Sequence, residues 1–367
     1  MRNYQALWGS AALAALLIAS AGAQTVSVYR VGRVPGPVTI TYQYGRNYVV
    51  GASYFDLDGD RRHRDYWQVN ASTFDPNFNP FPYSANLSKF GTLPSNKLGG
   101  DRYAVATPTR TLGSGFQADW IYAARRYDRN NRDPNQFNVV QFSPDGSVSN
   151  PTWATIQRPF TSAFSLFFDE VGTFNQRLLG VYNGANNSRE VFAIDASGNV
   201  TTVASWSSPN GFIAGVVLPN DPRFGTAGGK ILFGSGGVGE LVLIDSAGNV
   251  QSLGTLGVPV RNISLITGTH IYFANWADAA VDLLVIPELQ NYLGDILILS
   301  DDYPNQHRMY RLYWDGSRFQ KQLLVNLAEH GIPYSKGASI VLIPEPSSVL
   351  LLGGGLAGLA ALRRRRR

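Results

Sequence analysis

Four stretches of the chain repeat one plan: an apolar strand, a short turn containing glycine, and a second strand. They are residues 139–148, 191–200, 241–250 and 309–319. The two middle copies share Ile-Asp-x-x-Gly-Asn-Val almost letter for letter. Asp-Gly and Gly-Asn steps provide the positive φ that tight hairpin turns demand. The turn glycines Gly146, Gly198, Gly248 and Gly316 lie 52, 50 and 68 residues apart. Each hairpin follows another apolar strand, at residues 120–123, 178–182, 230–233 and 295–299. The unit therefore reads strand, loop, strand, turn, strand.

A period near 50 with one small sheet per unit is the mark of a β-propeller, whose blades bury their faces against their neighbours. Residues 24–343 hold roughly six such units. The wide last gap has room for an extra strand pair, residues 271–274 and 281–286. The first hundred residues are the least regular, and the Pro-, Asn- and Phe-rich residues 74–94 read as a long loop. There is no series of Trp-Asp dipeptides and no kelch signature, so the architecture rests on period and hairpins. The expected class is all-β, propeller-like with about six blades; the alternative is a two-domain β-sandwich divided near residue 150. Glycine (38), proline (20) and an aromatic content of 12% suit turns and strands. Zero cysteines excludes disulfides, thiolate metal sites and cysteine nucleophiles.

Both ends read as processing segments. Arg2 supplies a positive start, residues 6–21 carry no charge, and Ala21-Gly22-Ala23 offers the small-x-small pattern of signal peptidase. The expected cleavage follows Ala23, leaving Gln24 first; an uncleaved anchor is the alternative. At the other end, Pro344-Glu345-Pro346 precedes the apolar residues 347–362, and Arg363, Arg364, Arg365, Arg366 and Arg367 finish the chain. As a helix the apolar run is roughly 24 Å long, short for a hydrocarbon core of about 30 Å. Snorkelling arginines extend its reach, and the positive-inside rule holds them in the cytoplasm.

A Pro-Glu-Pro motif, one apolar helix and a terminal basic cluster, in that order, resemble the PEP-CTERM sorting signal. The resemblance covers residues 344–367 and says nothing of the fold upstream. It implies an exported protein whose tail spans the inner membrane before an exosortase cuts near Pro344–Pro346 and releases or transfers the body to the cell surface or outside. The expected organisation is thus a signal peptide (1–23), a body (24–343) and a sorting signal (344–367).

Removing these ends changes the charge argument. Lys plus Arg falls from 31 to 25, against 25 or 26 acids according to whether Glu345 leaves. The sequence pI of about 9.3 therefore belongs to the tail, and a body near neutrality gives no hint of nucleic acid as a partner.

Within the body, Asp56-Leu57-Asp58-Gly59-Asp60, with Asp65 nearby, is the sharpest candidate for chemistry. Alternating carboxylates on a tight loop can converge on calcium, which takes six to eight oxygens. The run resembles the D-x-D-G-D calcium loops of extracellular β-repeat proteins. It departs from them in Arg61, where those loops carry Gly, and in Asp65, which falls one place late. Arg61, Arg62 and Arg64 would offset the carboxylate charge, and the plain reading is a solvated turn with Asp–Arg pairs of little worth. Residues 234–239 match G-x-G-x-x-G, but an apolar strand follows where a dinucleotide site needs a helix. No metalloprotease or nucleophile-elbow motif occurs, and His63, His270, His307 and His330 follow no ligand spacing. Tyr42, Tyr44, Tyr48, Tyr54, Tyr66, Trp67 and Tyr83 crowd the first third. Exposed, they would stack on sugars of an exopolysaccharide; buried, they are ordinary strand residues. The expectation is a non-catalytic binding or structural module, the alternative a propeller hydrolase or lyase with calcium.

Overall fold

The computed structural model describes residues 26–34, 37–53, 66–71, 87–91, 104–125, 136–158, 164–275, 280–302, 306–332 and 339–343. The chain opens with β1 (Ser27–Arg33). Next come β2 (Pro37–Gln43), β3 (Tyr48–Ser53), β4 (Tyr66–Asn70) and β5 (Leu87–Gly91), then β6 (Ala104–Ala106), β7 (Ile121–Arg125), β8 (Phe137–Phe142) and β9 (Val148–Ile156). A third set is β10 (Phe164–Phe168), β11 (Leu178–Asn183), β12 (Ser188–Ile194) and β13 (Val200–Ser207). A fourth is β14 (Phe212–Val217), β15 (Ile231–Ser235), β16 (Glu240–Ile244) and β17 (Val250–Thr255). The remainder is β18 (Asn262–Leu265), β19 (His270–Asn275), β20 (Ala280–Val285), β21 (Ile296–Asp302), β22 (Gln306–Trp314), β23 (Phe319–Asn326) and β24 (Ser339–Ile343). Helix is confined, among the described residues, to three short 3-10 turns.

These strands form six four-stranded antiparallel sheets. Four are simple meanders, β2 to β5, β6 to β9, β10 to β13 and β14 to β17. The first strand of each sheet touches the first strand of the next, through β2, β6, β10, β14, β18 and β24 and back to β2, so the sheets close into a ring. The molecule is a six-bladed propeller, as the period of the hairpins predicts; a two-domain sandwich has no such ring.

The last two blades are interleaved. Blade five is β18-β21-β22-β23, but between β18 and β21 the chain leaves to make β19 and β20 in blade six. Blade six has the order β1-β20-β19-β24, so its outermost strand comes from the beginning of the described chain and its innermost from the end. This explains the wide 68-residue gap: residues 271–274 and 281–286 do contain a strand pair, and it belongs to the neighbouring sheet. The pairing β1–β20 is clamped by an ion pair between Arg30 and Asp282, the latter 1% exposed.

The core is divided in the same way. Six apolar clusters occur among the described residues, one at each blade-to-blade interface. Leu178 and Ile194 face blade two, whereas Leu179, Val181 and Val191 face blade four. Alternate side chains thus point to opposite faces, and both faces are covered. Hence β11, Leu-Leu-Gly-Val-Tyr-Asn, is buried at every position. The outer strand β13 is mostly wet and carries the mixed Val-Thr-Thr-Val-Ala-Ser-Trp-Ser.

The turn glycines do more than supply a conformation. Gly198 has φ +88°, and a Cβ there would lie 2.0 Å from the Trp153 carbonyl oxygen in the outer strand of blade two. Gly146 against Phe90 and Gly248 against Val203 repeat the contact one blade on either side. Each turn therefore rests its backbone on the previous blade, and only glycine has both the handedness and the room. Gly316 has φ +105° but nothing within 4 Å.

Candidate functional site

The six innermost strands enclose an axial cavity of about 370 Å³. Because they run the same way around the axis, the cavity has a leading mouth, where these strands begin, and a trailing mouth, where they end. Around the leading mouth lie Thr39, Ser165, Ile213, Arg261, Asn262 and Ser339; around the trailing mouth lie Tyr44, Thr107, Thr109, Glu170, Val171 and Thr267. Among the described lining residues the charged side chains are Arg261 and Glu170, one at each mouth. A five-residue strand separates the two levels by roughly 15 Å.

At the trailing mouth, both Glu170 carboxylate oxygens accept hydrogen bonds from Thr109. The amide donates to Oε1 at 2.6 Å and the hydroxyl donates to Oε2. Arg110 donates to the Glu170 carbonyl oxygen at 3.2 Å. The Tyr44 hydroxyl donates to the carbonyl of Leu342, in the closing strand β24, at 3.2 Å. Burial pushes this phenol far above its ordinary range, and the Glu170 carboxylate and Tyr42 add to the shift. Tyr44 is thus a neutral donor, and the Glu170 carboxylate is held in place by Thr109.

At the leading mouth, Arg261 Nε lies 2.6 Å from Asp301 Oδ2, and the Asp301 side chain is wholly buried at the end of β21. Ser264 donates to Asn262 Oδ1 at 3.1 Å, which leaves the Asn262 amide nitrogen directed elsewhere. The neighbouring blades are joined at this level by a reciprocal pair. Asn183 Nδ2 donates to the Phe212 carbonyl at 2.7 Å, and the Phe212 amide donates to Asn183 Oδ1 at 2.8 Å. The mouth is consequently held by buried polar stitches and is not a collapsed apolar plug.

The residues singled out from sequence fall as follows. Asp56, Asp58, Asp60 and Asp65 lie outside the described residues, in the segment joining β3 to β4; so do Ala21, Ala23, Pro344, Glu345, Pro346 and Arg363 to Arg367. Among the described residues no three His, Asp or Glu side chains converge as metal ligands. The G-x-G-x-x-G run joins β15 to β16 within one blade, a strand-to-strand loop and not a helix start. His270, His307 and His330 do not line the cavity, and His307 is fully buried edge-on to Phe273. His63 lies outside the described residues. Of the aromatic residues, Tyr42, Tyr66 and Trp67 are core, with Tyr42 stacked on Tyr272 across the closure of the ring. Among the described members of the group Tyr44 alone lines the cavity; Tyr54 and Tyr83 lie outside the described residues. Sequence reasoning missed Arg261 and Glu170. Each flanks an innermost strand, and the three-strand unit read from sequence omits that strand.

Comparison with known proteins locates the resemblance at the tail. A family model described as the PEP-CTERM protein-sorting motif matches residues 342–366. No curated protein matches the chain. Among solved structures, an exo-β-1,3-galactanase of Phanerochaete chrysosporium is 12% identical, with 85% of this chain and 71% of that one covered, at a TM-score of 0.46. The Aleuria aurantia lectin is 10% identical, with 82% and 79% covered and a TM-score of 0.43. A virginiamycin B lyase from Staphylococcus aureus is 12% identical, with 81% and 88% covered and a TM-score of 0.40. Likenesses at this level say nothing of chemistry. The chain is a six-bladed propeller that carries a PEP-CTERM protein-sorting motif at residues 342–366, the mark of an exported protein sorted by an exosortase.

Proposed function

We propose that this protein is a non-catalytic binding or structural component of the cell envelope or extracellular matrix, associated with exopolysaccharide. The sorting motif at residues 342–366 carries the reading. In it, signal peptidase cuts after Ala23, residues 347–362 span the inner membrane, and Arg363 to Arg367 stay cytoplasmic. An exosortase then cuts near Pro344–Pro346 and frees the propeller at the surface. Binding rather than catalysis is supported by the cavity: a carboxylate and a guanidinium sit at opposite mouths, and each oxygen of the carboxylate already accepts from Thr109. General acid–base work needs each catalytic group within hydrogen-bond reach of the proton it moves.

Intact-mass measurement on envelope material tests the processing. The expected polypeptide begins at Gln24 and lacks Arg367; in a host without exosortase the tail stays attached. Fractionation tests the association: the processed protein should sediment with exopolysaccharide and be released when the polymer is degraded. Release that ignores polymer degradation would overturn it. Calcium at Asp56, Asp58, Asp60 and Asp65 is tested by thermal unfolding with and without millimolar calcium. At one hundred times its dissociation constant a native-state ligand stabilises by about 2.7 kcal/mol, so the transition should rise, and it should not rise in a variant with all four aspartates changed to asparagine.

A further inference from the structure

Arg261 is the odd feature of the cavity. It sits one residue before the innermost strand of blade five and is about a quarter exposed, 26%. Its Nε side is held by Asp301, whose side chain is fully buried. That charge contact, which lacks hydrogen-bond geometry at Nε, leaves the far end of the guanidinium unoccupied. Nη1 lies 3.8 Å from where a Cβ at Gly236 would stand, an ordinary van der Waals separation, so the guanidinium lies beside the loop between β15 and β16. No described protein group accepts from Nη1 or Nη2. Asn262, the next residue, also lines the cavity; its side-chain oxygen is engaged by Ser264, and no described group accepts from its amide nitrogen. The mouth therefore offers a fork of guanidinium donors beside an amide donor, with Ser165 and Ser339 hydroxyls on the facing strands.

A guanidinium fork open at its far end matches a planar two-oxygen anion. At the other mouth the Glu170 carboxylate repels such an anion, so the cavity is polar along its axis. We propose that the leading mouth binds the carboxylate of an acidic sugar, a uronate unit of the polymer, with Arg261 and Asn262 as the recognition residues and Asp301 as the positioning residue. This rests on the exopolysaccharide reading above and names its ligand class. The cavity's volume of about 370 Å³ accepts one or two sugar units and not a folded partner. The serine and threonine hydroxyls around the wall suit sugar hydroxyls, which both donate and accept.

The test uses the processed protein from envelope material, titrated calorimetrically with trigalacturonate and with its methyl ester. The ester keeps every hydroxyl and loses the charge. The acid should bind at least tenfold more tightly than the ester, and the preference should shrink as salt is raised. Arg261→Gln alone strands the buried Asp301 charge and can fail to fold. The double variant Arg261→Gln/Asp301→Asn removes the pair together and should lose the acid preference, while Arg261→Lys retains charge but lacks the fork and should lose most of it. Asn262→Ala should weaken the acid severalfold with the ion pair intact. Equal binding of acid and ester, no binding of the acid, or an unchanged preference in the double variant overturns the proposal. Failure of the broader reading looks different: the wild-type protein would not sediment with exopolysaccharide at all. If it does sediment, and the double variant sediments equally, the polymer is held elsewhere and only the uronate site is refuted.

Discussion

At Gly198 two demands meet in one residue, a left-handed backbone and a carbonyl 2.0 Å from the site of any Cβ. Gly198→Ala should therefore cost about 3 kcal/mol, combining the αL penalty with overpacking against blade two. Gly316 has the handedness without the contact, and Gly316→Ala should cost about 1–2 kcal/mol. Urea denaturation midpoints of the two variants make the comparison. Equal losses would show that the packing of turn on blade adds nothing. In sequence both glycines sit in a hairpin turn opened by an Asp, three places after Asp195 and directly after Asp315. What separates them is the previous blade, which no local reading can see.

Hairpins are the element at which the chain is most legible. Asp145, Asp195, Asp245 and Asp315 each open a turn and accept hydrogen bonds from within it. The Ser143 hydroxyl, then the Ser147 hydroxyl and amide, hold Asp145 down to about 2. The Gln320 side chain, then the Arg318 and Ser317 amides, depress Asp315 further. At Asp195 burial pushes upward but is outweighed by Asn199 and the turn amides. Depressed carboxylates stabilise the fold fully above their unfolded value, about pH 4, and that contribution disappears as pH falls toward 2. Asp145→Asn should lower the urea midpoint at pH 6, and the two proteins should converge near pH 2. A gap that persists at pH 2 would mean that shape, not charge, holds the turn.

The middle strands were equally readable, because burial on both faces writes an unbroken apolar run such as Ile-Leu-Ile-Leu in β21. The innermost strands were not. The sequences Ala-Val-Ala in β6 and Asn-Ile-Ser-Leu in β18 are short and face a polar cavity on one edge. They carry neither a long apolar run nor a clean alternation. Arg261 and Glu170 escaped notice for the same reason: a site on an unread strand has no local signature. The exchange of β19 and β20 into blade six is also invisible locally, since β20 pairs with β1 some 250 residues away.

For the molecule as a whole, ring closure is the weak point and the clamp. Asp282 is buried against Arg30, and Asp282→Ala should lower stability by about 2 kcal/mol, the scale of a hydrogen bond to a charged group. Protease susceptibility should rise first at β1, and cleavage elsewhere at the same rate would contradict a local opening. A chain ending at Ile343 should fold as the longer one does. A chain ending at residue 338 lacks β24, which pairs with β19 along five residues and lines the cavity. It should lose near-ultraviolet ellipticity and cooperative unfolding.

The strand that leaves the ribosome ahead of every other described strand, and the one that leaves after them all, lie in the same blade, separated by a single hairpin. During secretion through a narrow pore, β1 arrives on the far side long before it has a neighbour to pair with. The circle is completed only when β24 has crossed. Pro344 follows the final residue of that strand directly, so severing the chain there leaves every described strand of the six sheets in the body. The released body would therefore owe the tail its timing and not its shape.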